Sequence, residues 1–164
     1  MLTIEKKSLK VGKYVSTNHV DSVIKNYKHE RWVHNSERIG KEDSLSVWYS
    51  REEIEEFLTR SKENGADGIR FYFAAYPEDY SEMPEYAGRQ TMVMVATKSR
   101  QDESGVSHKD IYIQDGKATR ILAYNTGHIC PPYCGKPKPG SGADDWGNIG
   151  ITIVDRGEKG LTVL

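Results

Sequence analysis

The sequence predicts an α+β protein with a mainly antiparallel sheet and two principal helices packed on one face. Three observations predict this. Two stretches carry apolar residues at helical spacing, and several shorter ones alternate or run apolar as strands do. The links between the later strands lack helical pattern, which favours antiparallel neighbours over helix-crossed parallel ones. At 164 residues the chain is expected to form a single domain over 1–164.

The first helix is expected from Asn18 to Arg31, where Val20, Val23, Ile24 and Tyr27 recur at helical spacing and Asn18 can serve as N-cap. The polar run from Ser36 to Asp43, with Gly40, reads as a loop. Leu45, Val47 and Tyr49 then alternate with Ser44, Ser46 and Trp48 as in a strand. Ser50 and Glu53 form a capping box that starts the second helix. Its inward stripe is expected to be Ile54, Phe57, Leu58 and Ser61, and Asn64-Gly65 ends it in left-handed backbone.

The run from Gly68 to Tyr76 is the clearest strand. It sets Ile69, Phe71, Phe73 and Ala75 on one face and Arg70, Tyr72, Ala74 and Tyr76 on the other. Pro77 stops it. A loop follows to about Arg89, carrying Glu78, Asp79, Glu82 and Glu85 with Tyr80 and Tyr86. Thr91 to Thr97 reads as a central strand, Ile111–Ile113 and Ile121–Tyr124 as short ones, and Asp115-Gly116 as a hairpin turn. Residues 126–148 are rich in Gly and Pro and read as irregular chain, and Ile149 to Val154 is expected to close the sheet.

Composition narrows the partners. A net charge of −1 gives no general pull toward nucleic acid or an anionic membrane, so neither is expected. The N-terminus has no apolar leader-like core and no run is long enough to span a bilayer, so a cytoplasmic location is expected. In that reducing setting the two cysteines are expected as thiols or ligands rather than a bridge. Phosphate-loop, dinucleotide, zinc-protease and serine-hydrolase signatures are absent.

Three features can carry chemistry. His128, Cys130 and Cys134 are zinc-type donors within seven residues, spaced C-x3-C between the cysteines. A fourth ligand would come from His19, His29, His34, His108, Asp144 or Asp145, or from a second subunit. The same thiols could serve redox or nucleophilic chemistry, and the plain alternative is a proline-stiffened loop pinned by buried thiols. Arg70, Tyr72 and Tyr76 form a ligand-binding candidate, with the guanidinium clamping a carboxylate or phosphate between tyrosine rings. Its plain alternative is an arginine lying across a partly covered sheet. Asp144 and Asp145 could hold a hard cation, against a solvated turn with Trp146 tucked onto the core.

The run Val47-Trp48-Tyr49-Ser50 before an acidic helix, the strand Gly68-Ile69-Arg70-Phe71-Tyr72-Phe73 and the segment Cys130-Pro131-Pro132-Tyr133-Cys134 together resemble a family of small bacterial proteins without an assigned activity. The resemblance covers the span between residues 44 and 134 and implies that Arg70 and the C-P-P-Y-C segment belong to one shared design. It carries over no catalytic role.

Three functional expectations follow. The first is a small soluble binding or interaction module without catalysis, with another protein or a small anionic ligand as partner. The second is a zinc- or thiol-dependent protein centred on His128, Cys130 and Cys134. The third is a small-molecule enzyme with Arg70 as anion anchor. The first is favoured because it requires no chemistry that the motifs do not supply.

Overall fold

Local rules place the elements, and a computed structural model describes residues 9–134 together with the backbone of 153–155 and 161–163. The α+β class holds: among the described residues, helical segments occupy 17–39 and 51–63 and the strands form antiparallel pairs. The chain divides into two compact units, each assembled from separated segments.

The first unit gathers Ser50–Tyr72 and Val93–Asn125. Helix α3 (Arg51–Glu63) begins as its capping box requires: Glu53 N donates to Ser50 Oγ at 3.1 Å and Ser50 N to Glu53 Oε2 at 2.9 Å. Only Phe57 and Ser61 of the expected inward stripe are buried, while Ile54 and Leu58 stay exposed. The Phe57 ring lies 5.8 Å from that of Tyr124, whose hydroxyl donates to Glu53 Oε1, so one carboxylate both caps the helix and ties it to a strand.

Strand β2 (Gly68–Ala75) leads the sheet order β2-β3-β4, where β3 is Gln90–Asp102 and β4 is Gly105–Asp110. β4 pairs with β3 from Thr97↔Asp110 to Asp102↔Gly105. The polar sequence of β4 carries no apolar alternation, which is why it is invisible to pattern reading. The expected turn is present: β5 (Tyr112–Asp115) pairs with β6 (Ala118–Ile121) around Gly116, whose φ of +61° suits glycine. β7 (Ala123–Tyr124) then pairs with Met94 and Val95 of β3. Ala96, Ile111 and Leu122 exchange backbone hydrogen bonds at 2.9 Å, and Ala96 and Leu122 are buried in the core of this unit with Met94 and Val95.

The second unit gathers Val15–Tyr49, Phe73–Met92 and the segment from Thr126. Its helix runs further than the apolar pattern indicates. α1 (Thr17–Tyr27) is capped by Ser16 rather than Asn18, passes through a π-helical turn (Lys28–Trp32) and continues as α2 (Val33–Ile39). Gly40, at φ +70°, ends it inside the stretch expected as a loop. Asp43 joins the helix to the rest of the unit: its backbone oxygen accepts from Trp32 Nε1, and its Oδ1 from the amides of Ser44 and Gln90.

β1 (Ser46–Trp48) pairs antiparallel with β8 (His128–Cys130), so a strand forms within the stretch expected as irregular. Gly127 precedes β8 under tight constraint, since an added Cβ would lie 2.6 Å from Tyr49 Cζ and 2.7 Å from Val47 Cγ1. Tyr76, Tyr86 and Ile129 form the buried core, with Val47, Tyr80 and Met83 packed against it. β9 (Ile153–Asp155) pairs with β10 (Leu161–Val163) in a separate ribbon, and residues 149–152 of the strand expected to close the sheet lie outside the described residues. Asp144, Asp145 and Trp146 lie outside the described residues. Among the described residues no helix is long and apolar enough to cross a membrane.

Candidate functional site

The strand alternation places Arg70 and Tyr72 on one face of β2, and there they meet an acid. Arg70 Nη1 donates to Asp110 Oδ1 at 2.6 Å and to the Tyr72 hydroxyl at 3.1 Å, and Nη2 donates to the His108 carbonyl at 2.6 Å. The Tyr72 hydroxyl donates in turn to Asp110 Oδ2 at 2.6 Å. Both oxygens of Asp110 and both terminal nitrogens of Arg70 are therefore engaged inside the protein. The network continues along the same strands. Ser99 N donates to the Asp67 carboxylate at 3.0 Å, and the Ser99 hydroxyl lies between Asp67 Oδ1 at 3.2 Å and His108 Nδ1 at 2.9 Å.

An external carboxylate or phosphate at Arg70 would have to displace Asp110, a charge-assisted partner already in place. Tyr76 is the third residue that alternation groups with Arg70. The residue lies past the end of β2 in the other unit, buried, with its ring stacked on Tyr80 at 4.8 Å.

The C-P-P-Y-C segment also departs from expectation. Cys130 and Cys134 are joined by a disulfide with a Cα–Cα separation of 4.8 Å, which corrects the expectation of two thiols. Four residues of separation suffice here because the chain turns tightly, with Tyr133 N donating to Ile129 O at 2.9 Å. Bonded to each other, the sulfurs offer no thiolate to a cation, so His128, Cys130 and Cys134 do not form a ligand set in this state. Among the described residues no group of three or more His, Cys, Asp or Glu is placed to hold a metal ion.

The turn builds something else. In the β1–β8 pair, Trp48 stands directly opposite His128, and their ring centroids are 5.9 Å apart at 32°. The Tyr133 ring follows at 5.6 Å from His128 and 38°. Tyr133 then meets Tyr86 edge-on at 5.8 Å, and Tyr86 meets Tyr76 at 5.3 Å. The row thus runs from exposed rings, Trp48 at 61% and Tyr133 at 48%, to Tyr86 at 0%. The Tyr86 hydroxyl donates to Gly127 O at 3.1 Å, so the buried end is satisfied.

Carboxylates flank the open end. The Tyr133 hydroxyl donates to Glu85 Oε1 at 2.6 Å. That bond, followed by the residue's own backbone N–H, holds the Glu85 carboxyl below the usual carboxylate range, and the same bond raises the Tyr133 hydroxyl above the usual phenol range. Tyr80 donates to Glu82 Oε2 at 3.3 Å, and Glu78, Asp79, Glu82 and Glu85 are all exposed on this loop. Arg89 fixes the loop from below: its side chain is buried, with Nε donating to Glu85 O at 2.9 Å, and burial pushes its guanidinium down from the usual value.

Pattern reading treats Trp48 only as a strand residue. The available signal was its large ring at an alternate position beside the small residues Ser46 and Ser50. Its partner His128 could not be paired with it, because β8 has no strand pattern of its own. No family model, no curated protein and no solved structure matches this chain.

Proposed function

We propose that this protein is a non-catalytic binding module whose second unit receives a lysine or arginine side chain presented by a partner protein. The observation that carries the reading is the exposed row Trp48, His128 and Tyr133 beside the Glu85 carboxylate. A cation over an aromatic face gains about 0.5–2 kcal/mol depending on desolvation, and an adjacent carboxylate selects for positive charge. The other two expectations find less support. Arg70 has its donors committed to Asp110, Tyr72 and His108, and the cysteines are bridged. An oxidising compartment, where that bridge persists, fits this reading better than the cytoplasm.

The test is a titration of the full chain with an arginine- and lysine-rich peptide, followed by calorimetry, with a glutamate-rich peptide of equal length as control. Binding is expected for the cationic peptide alone, and Trp48→Ala is expected to weaken it by about tenfold while leaving the fold intact, because the ring is already exposed. Equal affinity for both peptides, no affinity for either, or an unaffected Trp48→Ala variant would overturn the reading.

A further inference from the structure

β2 heads the sheet order β2-β3-β4, with β3 between β2 and the other strands, so β2 is an edge strand. Among the described residues no strand lies on its outer side. Such an edge presents alternate backbone N–H and C=O groups with no strand partner, and natural sheets blunt it with lysine, proline or a bulge. From Gly68 to Tyr72 the sequence holds neither lysine nor proline. Phe71 is 54% exposed and Tyr72 is 40% exposed, although adjacent residues point to opposite faces. Solvent thus reaches both faces of the sheet at this segment. The one charge in the segment, Arg70, is neutralised by Asp110 of the same chain.

We propose that the Gly68–Tyr72 edge is a self-association site at which two copies of this chain pair antiparallel about a two-fold axis through Phe71. The occupant is a second copy because the segment is complementary to itself. In that register Phe71 stands opposite Phe71 of the other copy, an aromatic pair of the kind that stabilises sheets. Arg70 stands opposite the other copy's Tyr72, repeating an arginine–tyrosine contact that already exists within the strand at 5.6 Å. No like charges meet unneutralised. A two-fold pairing also consumes the edge on both copies, so it closes at two and does not propagate. This site is independent of the Trp48 row, and either can stand without the other.

Sedimentation velocity on the full chain tests the proposal, together with amide hydrogen exchange at low and high protein concentration. A concentration-dependent dimer is expected, with the outward-facing amides of Gly68–Tyr72, those not bonded to β3, protected only where the dimer is populated. Phe71→Lys, which sets two like charges face to face, is expected to weaken the dimer by about tenfold or more, while Phe71→Leu retains it. A monomer at every concentration, a dimer unaffected by Phe71→Lys, growth beyond two copies, or exchange in this segment independent of concentration would overturn it. Because the exchange measurement uses the unaltered chain, it decides the question even if Phe71→Lys fails to fold.

Discussion

Two clusters in this protein hold aromatic and charged groups side by side, and they end differently. Around Arg70 each polar group has its complement within the chain: guanidinium against carboxylate, hydroxyl against carboxylate, serine between aspartate and histidine. Around Tyr133 the polar ends are also engaged, yet Trp48, His128 and Tyr133 remain exposed beside acidic side chains. A cluster whose charges cancel locally stabilises a sheet. One that exposes aromatic faces under a negative field has attraction left to offer. The residue types alone do not distinguish the two, since each contains tyrosine, histidine and carboxylate.

The largest expected effect comes from opening the Cys130–Cys134 bond. Cys134→Ser releases a five-residue closed loop that contains Tyr133, and loop-closure entropy for so short a ring is worth about 2 kcal/mol. Tyr133 then loses the turn that presents it to His128 and Glu85. Denaturant unfolding should show the loss of stability, and the cationic-peptide titration should show a parallel loss of affinity. Lowered stability with unchanged affinity would separate the disulfide from the surface and break the comparison at its functional side.

A smaller effect is expected at the other cluster. Asp110→Ala removes the acceptor of both Arg70 and Tyr72. The pair is partly solvent-exposed, so screening limits the loss to about 1 kcal/mol. Peptide affinity should not change. A gain in binding of small anions by the Asp110→Ala variant would sharpen the contrast further, since it would show an anchor otherwise silenced by its own acid. A stability change measured by the same unfolding experiment as indistinguishable from zero would mean the Arg70 network is a surface ornament rather than a support.

Much of the fold was legible because local physics wrote it locally. The capping box at Ser50, the alternation of β2 and the glycine turn between β5 and β6 each depend on neighbours within a few residues. What was not legible depends on partners far away. β4 is polar and forms only because β3 extends past its apolar half to Asp102 and offers a ladder. β8 forms in a Gly- and Pro-rich stretch because β1, some eighty positions earlier, pairs with it and Gly127 leaves room for Val47 and Tyr49. The candidate sites divide along the same line. Arg70 and Tyr72 were grouped correctly by alternation, but their acid came from β4, which pattern could not see. Tyr76 was grouped by the same alternation, and it lies past the end of β2, buried in the second unit. The cysteines were read as donors, because spacing reveals proximity but not whether the chain turns tightly enough to join two sulfurs.

The smallest expected effect concerns a single proton. Glu85 has its folded-state carboxyl held below the ordinary range by the Tyr133 hydroxyl, so its contribution is present above the unfolded-state value and is lost as pH falls through the lowered folded-state value. Tyr133 is shifted the other way. Its contribution is present below the ordinary phenol range and is lost as pH rises through the raised folded-state value. Between those limits the carboxylate is charged and the hydroxyl retains its proton, which is the state that holds the ring in place and attracts a cation. Affinity for the cationic peptide should therefore decline on acidification as Glu85 gains a proton. Glu85→Gln keeps an acceptor for Tyr133 but removes the charge, so it should lower neutral-pH affinity by about two- to fivefold and flatten the acid limb. Retention of the full acid limb in Glu85→Gln would place the titrating group elsewhere, on Glu82 or another acid of the loop or on His128 within the row itself.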